Sequence, residues 1–410
     1  MANELRSPGM GGAADTARSS LLPISCLSLG AFAVGTEGFM IAPLLPQIAN
    51  DLALSLSSAA MLVTVFTLTL AISSPVLTVL TGALNRRRLL IGAMAVFAVA
   101  NFVAWRSTGF AGILAARVLL ALSAGLYLPN ANAMVGFIVA PEQRGRALAI
   151  VTGGMTVAIA LGLPLGSVVG HALGWRWTFF GVGLLATLAA VGLAWGIAQG
   201  TGAGVRIAGF RERVRVAGQP DVLRALSLTF FWAMGAFVAY PFIAPFLQET
   251  LGFGDTGVSF SVFLWGLSAG VGMVLGGSFH DRWGAHAVIG PALALLMTAF
   301  LVMSASTHLP PDVALVPVML AVMVWGVSVW GFHPAQMAHM ISVGGASAGP
   351  VTLSLNTSVM YIGFGVGSAL GATLLERHGV VSIGLAAAAA EGVGLLLFGL
   401  YRLRARRRQV

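Results

Sequence analysis

The sequence predicts an all-α polytopic membrane protein, with twelve transmembrane helices in two pseudo-symmetric six-helix bundles. Three observations carry that expectation. The 410 residues are 58% hydrophobic and only 9% charged, with a mean hydropathy of +0.92. Soluble domains average about 25% charge, and a soluble fold of this length has too much wetted surface to cover with so few polar residues. The apolar residues fall into twelve runs, each long enough for a span of about 20 residues. Arginines gather at alternate connections, as they do where one set of loops faces the cytoplasm.

The elements follow in order. Residues 1–20, with Glu4, Arg6, Asp15 and Arg18, read as a polar cytoplasmic tail. The apolar run 21–48 is too long for a signal peptide and lacks a small-residue cleavage site, so it is span one. Spans two to six are expected at 58–83, 89–105, 109–138, 147–172 and 178–198, completing a first bundle over 21–198. The longest polar stretch, 199–222, holds Gly200, Gly202, Gly204, Gly209 and four arginines, and reads as a cytoplasmic linker. Spans seven to twelve are expected at 223–248, 257–279, 287–306, 313–340, 348–375 and 380–401, a second bundle over 223–401. A basic cytoplasmic tail, 402–410, follows. The 53 glycines and 17 prolines lie mostly inside the spans. Membrane helices tolerate both, because Gly permits close helix approach and carbonyls freed by Pro find other partners.

All 22 cationic residues are arginines. With the N-terminus inside, cytoplasmic segments hold 18 of them; Arg106, Arg176 and Arg377 are external and Arg117 is intramembrane. That asymmetry sets the expected topology: a multi-pass protein of the cytoplasmic (inner) membrane with both termini cytoplasmic. The net charge of +9 then reads as topology and contact with anionic membrane lipid, not as a nucleic-acid footprint. The single cysteine, Cys26, excludes an internal disulfide and a Cys-based metal site. No His/Asp/Glu cluster has metal-ligand spacing, and without a lysine there is no phosphate-binding P-loop. Neither a metal, a cofactor nor an enzymatic activity is expected.

The two halves repeat locally. Gly82-Ala-Leu-Asn-Arg-Arg-Arg88 follows span two, and Gly277-Ser-Phe-His-Asp281-Arg282-Trp-Gly284 follows span eight. Leu128-Pro129-Asn130 in span four is echoed by His333-Pro334-Ala335 in span ten. Parallel six-span repeats with a mid-membrane site between them are a transporter plan.

With these motifs the chain resembles the major facilitator superfamily, and within it the twelve-span drug:proton antiporter and sugar-efflux permeases. Gly277–Gly284 is similar to the family's loop signature; Asn85 and three arginines depart from it in the first half. Pro141-Glu-Gln-Arg-Gly-Arg-Ala147 resembles the loop between spans four and five. Gly154, Gly162, Pro164, Gly166 and Gly170 resemble the exporters' span-five motif, and Gly35-Thr36-Glu37-Gly38-Phe39 with Pro43-Leu-Leu-Pro46 resembles span one of efflux permeases. Arg117 matches the family's span-four arginine, with Ala121 replacing the usual following glycine. The resemblance implies alternating access, gated by Gly82, Arg86, Gly162, Pro164, Gly166, Gly277, Asp281 and Arg282, around a cavity lined by spans one, four, seven and ten.

Glu37 falls near the middle of span one. An ionisable group there usually faces a cavity or a partner, and a carboxyl can load a proton on one side and release it on the other. It is the expected proton-coupling group, with Arg117 as its tuning or pairing partner; a purely structural tie is the plainer reading of both. Glu391 in span twelve lies among small residues, which suits helix packing. The expected substrate contacts are Thr36, Tyr127, Asn130, Phe237, Tyr240, Trp330, His333 and Asn356, an aromatic set with few polar groups that suits a small lipophilic molecule. The expectation is a monomeric, proton-coupled secondary transporter exporting a small molecule such as a drug, sugar or nucleoside. An importer or uniporter of the same fold, or a membrane sensor, are the alternatives.

Overall fold

The computed structural model describes residues 11–82, 84–202 and 209–407 of the chain, with side chains for those from residue 21 to residue 404 other than 346 and 347. The outer parts of the two expected tails, together with Gly204 and Arg206 of the linker, lie outside the described residues. The described residues are helical and contain no strand. Among the described residues, twelve helices are long and apolar enough to cross a membrane: Leu21–Asp51, Leu56–Leu80, Arg86–Arg106, Phe110–Ile138, Pro141–Leu173, Trp175–Gly196, Pro220–Leu251, Asp255–Trp283, His286–Ser306, Pro311–Gly345, Ala348–His378 and Val380–Arg404. These are spans one to twelve below.

Local chemistry explains the helix ends and breaks. Ser55 caps span two by accepting from the Ser58 backbone N–H, and Asn85 caps span three by accepting from Arg88. Gly345 turns the chain between spans ten and eleven with a φ of 72°, a conformation that favours glycine. Span five contains a π-helical turn, Ala158–Gly162, just before Pro164. Span seven contains a 3-10 turn, Tyr240–Phe242, around Pro241. Both follow from proline, which has no N–H to donate and crowds the carbonyl four residues back.

Within each half, glycine stripes let helices meet backbone to backbone. A Cβ at Gly272 or Gly276 of span eight would fall 2.1 Å from the carbonyl of Val327 or Gly331 in span ten. Gly363, Gly367 and Gly371 of span eleven face span seven in the same way. In lipid this close packing replaces the hydrophobic drive that water would supply.

The halves meet through spans one and seven, two and eleven, and five and eight. Exchanging the halves maps this set of pairs onto itself, as a pseudo-two-fold arrangement requires. The π turn of span five bulges toward the other half: a Cβ at Gly266 would lie 2.6 Å from the Ile159 carbonyl. At one end the halves are tied together. Ser167 and Ser259 hydroxyls lie 3.0 Å apart, His171 Nε2 is 3.5 Å from Asp255 Oδ1, and the Thr64 hydroxyl donates to Ser368 over 3.0 Å. At the opposite end, among the described residues, no hydrogen bond or ion pair joins Arg86–Arg88 or Arg144–Arg146 to Asp281, Arg282 or His339. Among the described residues, polar side-chain contacts therefore tie the halves at one end and leave those residues untied at the other.

The segment expected as a plain linker is partly helical. Phe210–Ala217 forms a short helix that docks on the second half, with Val216 buried against Val222, Leu226, Met340 and Val351. Arg213 Nη1 donates to Ser354 Oγ over 2.7 Å.

Candidate functional site

The site grows from the glycines around Glu37. A Cβ at Gly35 would fall 2.5 Å from Met155 Sδ, and Gly38 opens toward Phe66, so span one is thin where spans two and five approach it. Glu37 and Arg117 are both fully buried and form an ion pair, with Arg117 Nη1 donating to Glu37 Oε1. Arg117 Nε also donates to the Leu62 carbonyl over 3.0 Å, and its guanidinium lies 4.1 Å from the centroid of the Phe66 ring. The pair is incompletely satisfied: Glu37 Oε2 and Arg117 Nη2 have no hydrogen-bond partner. A buried pair holds only while both members stay charged and positioned. Protonating Glu37 would therefore cancel the attraction and release Arg117.

Beside the pair is a narrow apolar cleft between the halves. Val34, Gly35, Gly38 and Phe39 of span one line it with Phe66, Thr67 and Leu70 of span two and Met155 of span five. Phe237 of span seven and Tyr361 and Phe364 of span eleven close the other wall. Phe66 belongs to both features, so a single ring separates the guanidinium from the cleft. Phe237 stacks on Phe364, and Phe39 meets the edges of Phe237, Tyr240 and Trp330 at centroid distances of 6.2, 5.7 and 5.7 Å. The Tyr240 hydroxyl donates across the halves to the Phe39 carbonyl over 2.8 Å.

The other expected residues fall as follows. Of the expected substrate contacts, Phe237 lines the cleft, while Tyr240 and Trp330 support it from behind. His333 lies beside Trp330, with ring centroids 5.8 Å apart. Four others lie away from the cleft. Thr36 turns away from the cleft onto Gly162, whose Cβ would fall 2.1 Å from its hydroxyl. Tyr127 is buried and donates to the Leu27 carbonyl over 2.9 Å. Asn130 accepts from Arg86 and donates to the Leu126 carbonyl. Asn356 accepts from Thr229 over 2.6 Å inside the second half. Tyr127, Asn130 and Asn356 spend polar atoms within their own bundle, because a hydrogen-bonding group in lipid is costly unless paired; the Thr36 hydroxyl is buried without a partner among the described residues.

The expected gate residues are distributed as follows. Arg86 is buried against Asn130 and next to Gly202, so it ties span three to span four and the linker. Gly162 and Gly166 seat Thr36 and Met40 of span one within the same half, and Pro164 follows the turn that bulges toward span eight. Gly82 lies in the turn after span two. Gly277 is open, and Asp281 and Arg282 are exposed with no ion-pair partner among the described residues at the untied end. The sequence reading missed Phe39, Phe66, Thr67, Leu70, Met155, Tyr361 and Phe364. The one available signal was the pair of glycines flanking Glu37, which marks span one as the thin wall.

The profile of the Major Facilitator Superfamily matches residues 27–349. The chain is 30% identical over 365 residues to YbcL, an uncharacterized MFS-type transporter of Bacillus subtilis (strain 168), covering 89% of this chain and 92% of that one. It is 34% identical over 276 residues to a chloramphenicol resistance protein of Streptomyces lividans, covering 66% of this chain and 70% of the relative. Among solved structures, a bacterial homolog to the human lysosomal transporter Spinster, in an inward-facing and occupied conformation, superposes with a TM-score of 0.72 at 18% identity, over 93% of this chain and 96% of that one. With the twelve helices and the paired halves, these matches establish that the chain belongs to the major facilitator superfamily of membrane transporters.

Proposed function

We propose that the protein is a proton-coupled exporter of a small, uncharged, lipophilic molecule, working by alternating access. The observation that carries this reading is the buried Glu37–Arg117 pair one aromatic ring away from an apolar cleft between the halves. A proton and Arg117 compete for the same carboxylate. Proton binding frees the guanidinium over Phe66 and changes the wall of the cleft; substrate in the cleft presses on the same ring. That shared ring supplies the differential interaction that coupling requires. The cleft residues favour an uncharged aromatic substrate, since the lining offers only the Thr67 and Tyr361 hydroxyls as polar side-chain groups.

Arginine placement would put the untied end on the cytoplasmic side, so opening there would widen the narrow cleft and load substrate from within. The inward proton would drive release on the other side. Each proton moving through 100 mV supplies about 2.3 kcal/mol, enough for roughly a fiftyfold gradient of a neutral substrate. The chloramphenicol resistance relative makes chloramphenicol the first probe. Purified protein in inside-out liposomes should accumulate it when the lumen is acidified and lose it when a protonophore is added. Transport indifferent to the proton gradient would replace antiport by uniport.

The clasped end gives a second expectation. In a Cys26→Ala background, Ser167→Cys with Ser259→Cys places two thiols where hydroxyls lie 3.0 Å apart. Oxidation should lock the clasp and reduce flux to background, and a reductant should restore it. Undiminished flux with the disulfide formed would show that spans five and eight do not separate during transport.

A further inference from the structure

The Glu37–Arg117 pair leaves one buried carboxyl unexplained. Glu391 lies midway along span twelve, fully buried, and neither carboxyl oxygen has a hydrogen-bond partner. It faces a seat cut into span seven. A Cβ at Gly235 would fall 2.6 Å from Glu391 Oε1 and 3.0 Å from the Ala387 carbonyl, so only a glycine leaves the carboxyl its space.

The charged and titratable groups on the packed helices are engaged elsewhere. On span seven, Arg224 pairs with Asp221, Tyr240 donates to Phe39, and Glu249 is exposed at the far end. On span nine, His286 packs against His339 and Phe398. On span twelve itself, Tyr401 bonds Ser227 and Arg402 lies over Phe398. On span eleven, Tyr361 packs on Phe364. An ionised carboxylate at Glu391 would have neither counter-ion nor donor, an arrangement that burial penalises heavily. A neutral acid fits.

We propose that Glu391 is a second proton-binding site of this transporter, housed between spans seven and twelve and separate from the Glu37–Arg117 pair. The link to transport is Gly235. Two residues further on, the opposite face of the same helix presents Phe237 to the cleft, and span seven breaks at Tyr240–Phe242 just beyond. Bending span seven to open the cleft would unseat Glu391 and let its carboxyl give the proton to water, leaving a solvated carboxylate; reseating takes a proton back. The role in transport rests on the antiport reading above, while proton occupancy does not.

The test needs no substrate. Infrared spectra of the purified protein at neutral pH should show a protonated-carboxyl C=O band that E391Q and E391M remove and E37Q leaves. Both variants should melt close to wild type, because the native group is already uncharged. On an alkaline pH jump, E391Q should release one proton fewer per molecule than wild type, and oxidised Ser167→Cys/Ser259→Cys protein should hold that proton until reduced. A band unchanged in E391Q, or stability lost in both variants, overturns the site. Release unaffected by the lock overturns its link to the conformational cycle. If gradient-driven transport fails while the band is found, the antiport reading falls and the proton site stands.

Discussion

Glu37→Gln is expected to abolish gradient-driven accumulation while leaving substrate-for-substrate exchange largely intact. Glutamine keeps the size but not the charge, so like the protonated acid it leaves Arg117 its bond to the Leu62 carbonyl without the ion pair that holds the guanidinium over Phe66. The amide cannot titrate. A carrier fixed in the uncharged form can still turn over in an exchange cycle, which requires no change of protonation, but it has lost the step that converts proton flow into net movement. The measurement is chloramphenicol flux in liposomes with and without a pH gradient, beside counterflow at equal pH. Accumulation equal to wild type would remove Glu37 from coupling and leave Glu391 as the remaining buried carboxyl to test.

Arg117→Ala should be the most damaging single substitution of a charged residue. It leaves a fully buried Glu37 carboxylate without its only donor and empties the space over Phe66. Breaking a buried pair from one side costs about 3–5 kcal/mol, so expression and melting temperature should fall together with transport. Arg144→Ala is the control: Arg144 is exposed and donates only to the Gly136 carbonyl over 3.0 Å, and its loss should lie within about 0.5 kcal/mol of wild type. The double variant Arg117→Ala/Glu37→Gln should recover part of the lost stability, because it removes the orphaned charge as well. If Arg117→Ala transports as well as Arg144→Ala per molecule at the surface, the pair has no part in the mechanism.

The spans were legible because their signal is local. Nine of the twelve apolar runs lie wholly within a helix of the structure; the other three, 58–83, 109–138 and 178–198, overrun theirs by one to three residues, and several helices extend past their runs because polar ends such as Pro141–Arg146 continue the helical hydrogen bonding outside the apolar stretch. Glu37 and Arg117 were legible for the same reason: a charge in an apolar run is conspicuous by its cost. The helix Phe210–Ala217 was missed because its arginines and glycine neighbours read as solvated linker, whereas Val216 and Arg213 find their contacts on spans seven, ten and eleven.

What the sequence by itself determined was how many spans there are, roughly where each lies, and which two charges are held in span one and span four. Only the tertiary structure decided which way each helix faces. In water an apolar stripe would reveal the rotation; in a membrane every face is apolar. Leu80 and Val274 are exposed while Phe66 and Trp232 are buried, and nothing in their own stretches separates them. That rotation brings Glu37 to Arg117 across 80 residues, turns Tyr127 and Asn130 into their own bundle, puts Phe66 between the ion pair and the cleft, and leaves Glu391 against the bare backbone of Gly235. Its physical cause is the pairing of polar atoms and the depth of close packing, both of which depend on residues far away in the chain.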